Sequence, residues 1–211
     1  MFGFLIGVVV SSVKAIATTV GLAKLAIDGL KEIAGIIKQI GIALGIIKED
    51  TNLEELGDKA LQAEQEGIKP ENFKTYDEYV RKIETFELDP EKSKKLSPEE
   101  KNRRGIEVMS GMVLDAMGPN VPMQKFLEIV LANNNRGYFE SRIGELSKAI
   151  ADNRNFIGDI VGVLSGSEKN AAKVKDVVEN FVQLEKNLDN GMSAVDVMKT
   201  ISGIRNKNNL S

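Results

Sequence analysis

The side chains able to do chemistry in this 211-residue chain are carboxylates, lysines, serines and tyrosines, because it contains no histidine and no cysteine. That excludes Ser–His and Cys–His nucleophile systems and any disulfide, and removes the ordinary ligands of zinc, haem and copper sites. An empty cysteine count leaves the compartment open. Asp152, Asn153, Asn155 and Asp159 have the composition of a calcium loop. An EF-hand needs Gly at its sixth position and Glu at its twelfth, and neither stands there, so capping and turn roles are expected. The carboxylate pairs Glu54–Glu55, Glu64–Glu66 and Glu99–Glu100 would serve a hydrolase only across an apolar cleft. Their places beside helix starts and in a charged linker point to capping instead. Lys92, Lys94, Lys95, Lys101, Arg103 and Arg104 are interleaved with Glu91, Glu99 and Glu100, a pattern that reads as a solvated face. These residues assign no catalytic, cofactor-binding or metal-ligating role, and a non-enzymatic protein is expected.

What must position these residues is helix. With 42% apolar, 28% charged and only 5% aromatic residues, the chain is globular, and its core must be built from Leu, Ile, Val, Ala and Met. The expected class is all-α: a long apolar N-terminal helix or helical hairpin over 1–48, short charged helices and a linker over 49–96, and a compact multi-helix bundle over 97–211. The net charge of −3 is unevenly spread, the front being basic and the middle acidic. A sequence pI near 5.3 gives no electrostatic support to nucleic-acid binding.

Residues 1–48 carry the most distinctive pattern. At about 100° per residue, Lys14, Lys24, Asp28, Lys31, Glu32 and Lys38 fall within about a third of the circumference, and the remaining face is apolar. An ordinary surface helix hides a narrower stripe. Three environments would cover such a face: a partner, a bilayer, or a bundle formed by the chain itself with one wetted edge. The docking reading places Phe4, Ile6, Val9, Ile16, Leu22, Leu25, Ile33, Ile37 and Ile40 in the contact. It leaves a polar stripe of Lys24, Asp28, Lys31 and Lys38 toward water or an acidic partner. Gly3 and Gly7, like Gly41 and Gly45, form G-x-x-x-G pairs that would let another helix approach closely.

Targeting signals are weak. The apolar start carries no charge before Lys14, unlike the basic n-region of a signal peptide. A span over 2–22 would place Lys14 near mid-bilayer, at about 3 kcal/mol, so insertion is marginal.

Further along, the punctuation predicts capped helices. Glu49–Asn52 offers caps for one that runs to about Glu66 and stops at Gly67; Thr75–Glu78 and Ser97–Glu100 are capping boxes; Gly118–Pro119 stops another helix. Residues 88–96 lack periodicity and read as an exposed linker, with a domain boundary near 96. Phe139, Ile143, Leu146 and Ile150 share one helical face, and Phe156, Ile160 and Val163 another. Ser167 is expected to begin a longer helix, and Ser193–Asp196 to cap a last one.

Residues 56–70, with Tyr76–Val80 and Phe86–Ser93, resemble segments of small helical proteins of Gram-positive bacteria associated with contractile phage-tail-like injection and toxin-delivery gene clusters. The resemblance covers about a fifth of the chain and implies an accessory, cargo or structural component, held in the cytoplasm or loaded into a secreted particle. The function expected is therefore that of an interaction component docking through residues 1–48. It would meet protein partners or a second copy, with an anionic membrane surface as a further contact and no cofactor or nucleic acid. The competing expectation is a membrane-inserting or pore-forming protein acting through the same residues.

Overall fold

The computed structural model describes residues 6–19, 21–25, 27–118, 122–134, 139, 141–189 and 191–208. Among the described residues the fold is all-α, with no strand. The chain divides into two compact units, Met1–Asn120 and Val121–Ser211.

In the first unit, α1 (Ile6–Thr19) ends before a positive-φ turn at Gly21 (φ 70°) and a 3-10 turn over Leu22–Lys24, and α2 (Ile27–Ala43) follows. The apolar segment is thus two helices, broken where glycine tolerates the left-handed region. Next come α3 (Leu53–Gln65), a 3-10 turn over Pro70–Asn72, α4 (Tyr76–Glu84), the single turn α5 (Pro90–Ser93) and α6 (Pro98–Met117).

Local chemistry sets these starts. Asn52 Oδ1 accepts the Glu55 amide at 3.1 Å, and Thr75 Oγ1 accepts that of Glu78 at 3.2 Å. Ser97 and Glu100 satisfy each other's backbone reciprocally, at 3.2 and 2.8 Å. With Pro98 at the first helical position, that end of α6 is strongly specified.

α6 is the shared wall of the unit: α1, α2, α3 and α4 all pack on it. Ile106, Val108, Met109, Val113 and Leu114 are buried there against Leu30, Ile33, Ile37 and Ile40 of α2 and other apolar side chains of the unit. Each such side chain withdrawn from water contributes about 1.5–3 kcal/mol. This explains why the division falls after Asn120 and not near residue 96. The helix expected to open the C-terminal domain is the one on which the N-terminal helices are buried.

The second unit comprises α7 (Met123–Asn134), α8 (Ile143–Asp152), α9 (Phe156–Ser165), α10 (Ala171–Asn187) and α11 (Ala194–Asn208). Phe139, Ile143, Leu146, Ile150, Phe156, Ile160 and Val163 are buried as their spacing requires. α10 starts later than expected. Asn170 Oδ1 accepts the Ala172 amide at 2.9 Å and caps it, whereas the Glu168 amide donates back to the Gly162 carbonyl, holding Ser167 in a turn. Within this unit Arg142 (8% exposed) grips Glu185 (0%) through Nε and Nη2, at 2.6 and 2.9 Å, locking the start of α8 to α10.

Candidate functional site

The surface expected to meet a partner is largely filled from within. Val9, Ile16, Ile33, Ile37 and Ile40 are at most 2% exposed, covered by the first unit itself. Ile6 and Leu25 are half-buried, and Leu22 lies in the 3-10 turn. Phe4 and Gly3 lie outside the described residues. The buried members therefore form core in place of a docking face. α6 offers a matching apolar surface on the same chain, and an intramolecular partner acts at a high effective concentration.

Of the polar stripe, Asp28, Lys31 and Lys38 lie on α2 and Lys24 in the 3-10 turn before it, so the single helix that the spacing assumed is broken. Lys24, Asp28 and Lys31 are exposed, and no ion pair engages Lys24 or Lys31 among the described residues. Lys38 departs from this pattern: it is half-buried and donates to the Thr51 carbonyl at 2.9 Å, tying α2 to the residue before the α3 cap. A shallow groove of about 410 Å³ runs beside it, with Lys31, Gly35 and Lys38 on one bank and Asn52, Leu53 and Glu54 on the other. Lys14 of α1 pairs with Glu71 at 3.3 Å, both well exposed.

Gly41 and Gly45 do not bring helices together, and of the other pair only Gly7 lies among the described residues. A Cβ at Gly7 would meet nothing within 4 Å, and Gly45 takes φ 71° with open space around it. A Cβ at Gly41 would run into Ile47, because the chain after α2 folds back and the Ile46 and Ile47 amides both donate to the Gly41 carbonyl. These residues terminate a helix. The close approach lies elsewhere: a Cβ at Gly57 would overlap the Lys101 carbonyl, one at Gly105 the Leu53 carbonyl, and one at Gly111 the Tyr76 ring. The clue available in the sequence was their placement inside helices, where glycine weakens the helix by roughly 1 kcal/mol relative to Ala without a packing reason.

Among the residues weighed for chemistry, the calcium-like set disperses. Asn153 Oδ1 accepts the Asn155 amide at 3.2 Å, and Asp159 pairs with Lys173 at 2.8 Å. Among the described residues no group of carboxylates is placed to hold a metal ion. The cationic run is paired in several places and is not a uniform solvated face. Lys92 meets Glu66 at 3.2 Å, Lys94 meets Glu91 at 2.7 Å, and Arg104 meets Glu64 and Glu107 at 3.0 and 2.9 Å.

Residues 88–96 are likewise anchored. Asp58 (3% exposed) accepts the Ser93 hydroxyl, Gln62 Nε2 at 2.8 Å and Lys101 Nζ at 3.0 Å, while Lys101 also donates to Ser93 at 3.0 Å. Gln62 closes the network by exchanging two hydrogen bonds with the Asp89 backbone, at 2.9 and 3.2 Å. Burial raises the Asp58 pKa, but hydrogen bonds from Ser93, Lys101 and Gln62 prevail and hold it below the ordinary value. A serine beside a lysine and a carboxylate has the composition of a nucleophile set. Here the Lys101 ammonium donates to Asp58 and has no lone pair to take the serine proton, so the arrangement is a clamp.

Comparison with protein-family models, curated protein sequences and solved structures finds no match to this chain. Residue chemistry alone bears on its role. Among the described residues no helix is long and apolar enough to cross a membrane.

Proposed function

We propose that the protein is a non-enzymatic helical component of a bacterial multiprotein assembly, of the contractile-injection or toxin-delivery kind that residues 56–93 resemble. It recognises an acidic protein surface through Lys24, in the 3-10 turn before α2, and Lys31 on α2. The observation that carries the reading is that Lys24 and Lys31 are exposed and, like Lys48 and other lysines of the unit, engaged by no ion pair among the described residues. Exposed lysines steer association and select a partner of opposite sign, with Asp28 on the same edge setting the register of the contact.

The contact differs from the one expected at first, because the apolar face is used internally. The deeper apolar residues support the edge and do not touch the partner. Deleting residues 1–48 would strip α1 and α2 from α6 and is the wrong test. The informative variant is Lys24→Glu/Lys31→Glu, with a photo-crosslinking residue at Gln39, also exposed on α2, in the native host. Loss of one acidic crosslinked partner with unchanged melting supports the proposal. Identical crosslinks and co-purification at normal yield overturn it.

A further inference from the structure

We infer that Met192, in the loop between α10 and α11, is an oxidation site that works as a latch: a hydroperoxide converts its thioether to a sulfoxide, whose oxygen binds the buried Arg142 guanidinium more tightly than the sulfur does. This goes beyond the assembly proposal and does not rest on it.

The inference starts from the donors of Arg142. Nε and one hydrogen of Nη2 hold Glu185, at 2.6 and 2.9 Å, and Nη1 reaches Ser141 Oγ at 3.0 Å. Nη2 has a second hydrogen, and Met192 Sδ meets it at 3.7 Å. A thioether is a weak acceptor. A guanidinium in a residue only 8% exposed therefore directs one of its N–H groups at sulfur, where an oxygen would make a charge-assisted hydrogen bond.

The loop is bent to bring Met192 there. Asp189, just after α10, takes φ 53°, the one non-glycine residue with positive φ among the described residues, and Gly191 takes φ 61°. A residue with a β-carbon stays in that region only where its surroundings fix it. On the other side of Met192, Ser193 caps α11 by exchanging hydrogen bonds with Asp196. Between these fixed points the unbranched Met192 side chain can draw back to admit one more atom on the line to Arg142.

The step balances with the hydroperoxide alone. A sulfur lone pair attacks the terminal oxygen, the S–O bond forms as the O–O bond breaks, and the hydroperoxide proton passes to the departing oxygen. Sulfur loses two electrons, and the peroxide gains them to leave water or an alcohol. Met192 is half-buried and within reach of a small oxidant, whereas Met123 of the same unit is 2% exposed.

The test uses the full chain carrying Met198→Leu, which removes the exposed methionine of α11, before and after dilute hydrogen peroxide. Peptide mass spectrometry is expected to place one added oxygen on Met192 before Met123. Amide exchange at Ser193, Asp196 and Val197, all hydrogen-bonded at the start of α11, should then slow about tenfold. Methionine sulfoxide reductases should reverse it. Met192→Gln sets a carbonyl oxygen where the sulfoxide oxygen would stand and should slow exchange without oxidant; Met192→Leu should give no response to peroxide. Unchanged or faster exchange in the oxidised protein or in Met192→Gln would overturn the proposal. So would oxidation of Met123 ahead of Met192, or slowing that persists in Met192→Leu.

Discussion

Gly57 of α3 lies directly on the backbone carbonyl of Lys101 in α6, with no room for a β-carbon between them. Gly35 of α2, by contrast, faces open space. Gly57→Ala should therefore destabilise the protein by about 2 kcal/mol or more, overpacking outweighing the gain in helix propensity. Gly35→Ala should stabilise it by roughly 0.5–1 kcal/mol. Chemical denaturation of both variants measures the contrast, and equal effects would mean that α3 and α6 are not so closely apposed.

Asp58 and Asp115 should impose opposite pH dependence on the first unit. Hydrogen bonding holds the folded pKa of Asp58 below its unfolded value, so its contribution is present at neutral pH and is lost as pH falls through the folded pKa. Asp115 is raised, first by burial and then by the negative charge of Asp77, and its Oδ1 is buried without a partner. The contribution of Asp115 is greatest below its unfolded pKa and declines as pH rises toward the folded one. Asp115→Asn should thus stabilise the protein at pH 7 but not in acid, and Asp58→Ala should destabilise it by about 3 kcal/mol at pH 7. Melting curves across the acid range test both signs.

In the second unit, Glu185→Gln should be costly, at about 3–5 kcal/mol, because it leaves the Arg142 guanidinium buried without its carboxylate. Replacing both with apolar residues, Arg142→Met/Glu185→Leu, should recover most of that loss. A double variant as unstable as Glu185→Gln alone would show that the ion pair is worth more than its desolvation.

Vesicles provide a further discriminating measurement. With Val9, Ile16, Ile33 and Ile37 buried against the protein itself, the native chain should not release dye from anionic liposomes at neutral pH. Dye release abolished by Lys24→Glu/Lys31→Glu would instead show that α1 and α2 leave α6 for lipid.

Local chemistry was legible in the sequence. Asn52, Thr75, Ser97 and Ser193 act on amides within three residues of themselves, so their caps could be read without knowing the fold. Periodicity showed that Ile33, Ile37 and Ile40 would be covered but carried no information about what covers them, and both partner and core satisfied the pattern. The clamp among Asp58, Ser93 and Lys101, and the glycine contact between Gly57 and Lys101, join residues far apart in sequence. A charged run and a lone helical glycine look the same whether they face water or another helix.

The position of α6 also sets an order of events in the growing chain. Residues 6–43 bury their apolar faces on a helix that ends at Met117 and is made after them. At about 5–20 residues per second, α2 waits on the order of several seconds for its wall to emerge. Over that interval the most apolar stretch of the protein is exposed near the ribosome. The nascent chain therefore requires shelter before the finished protein does.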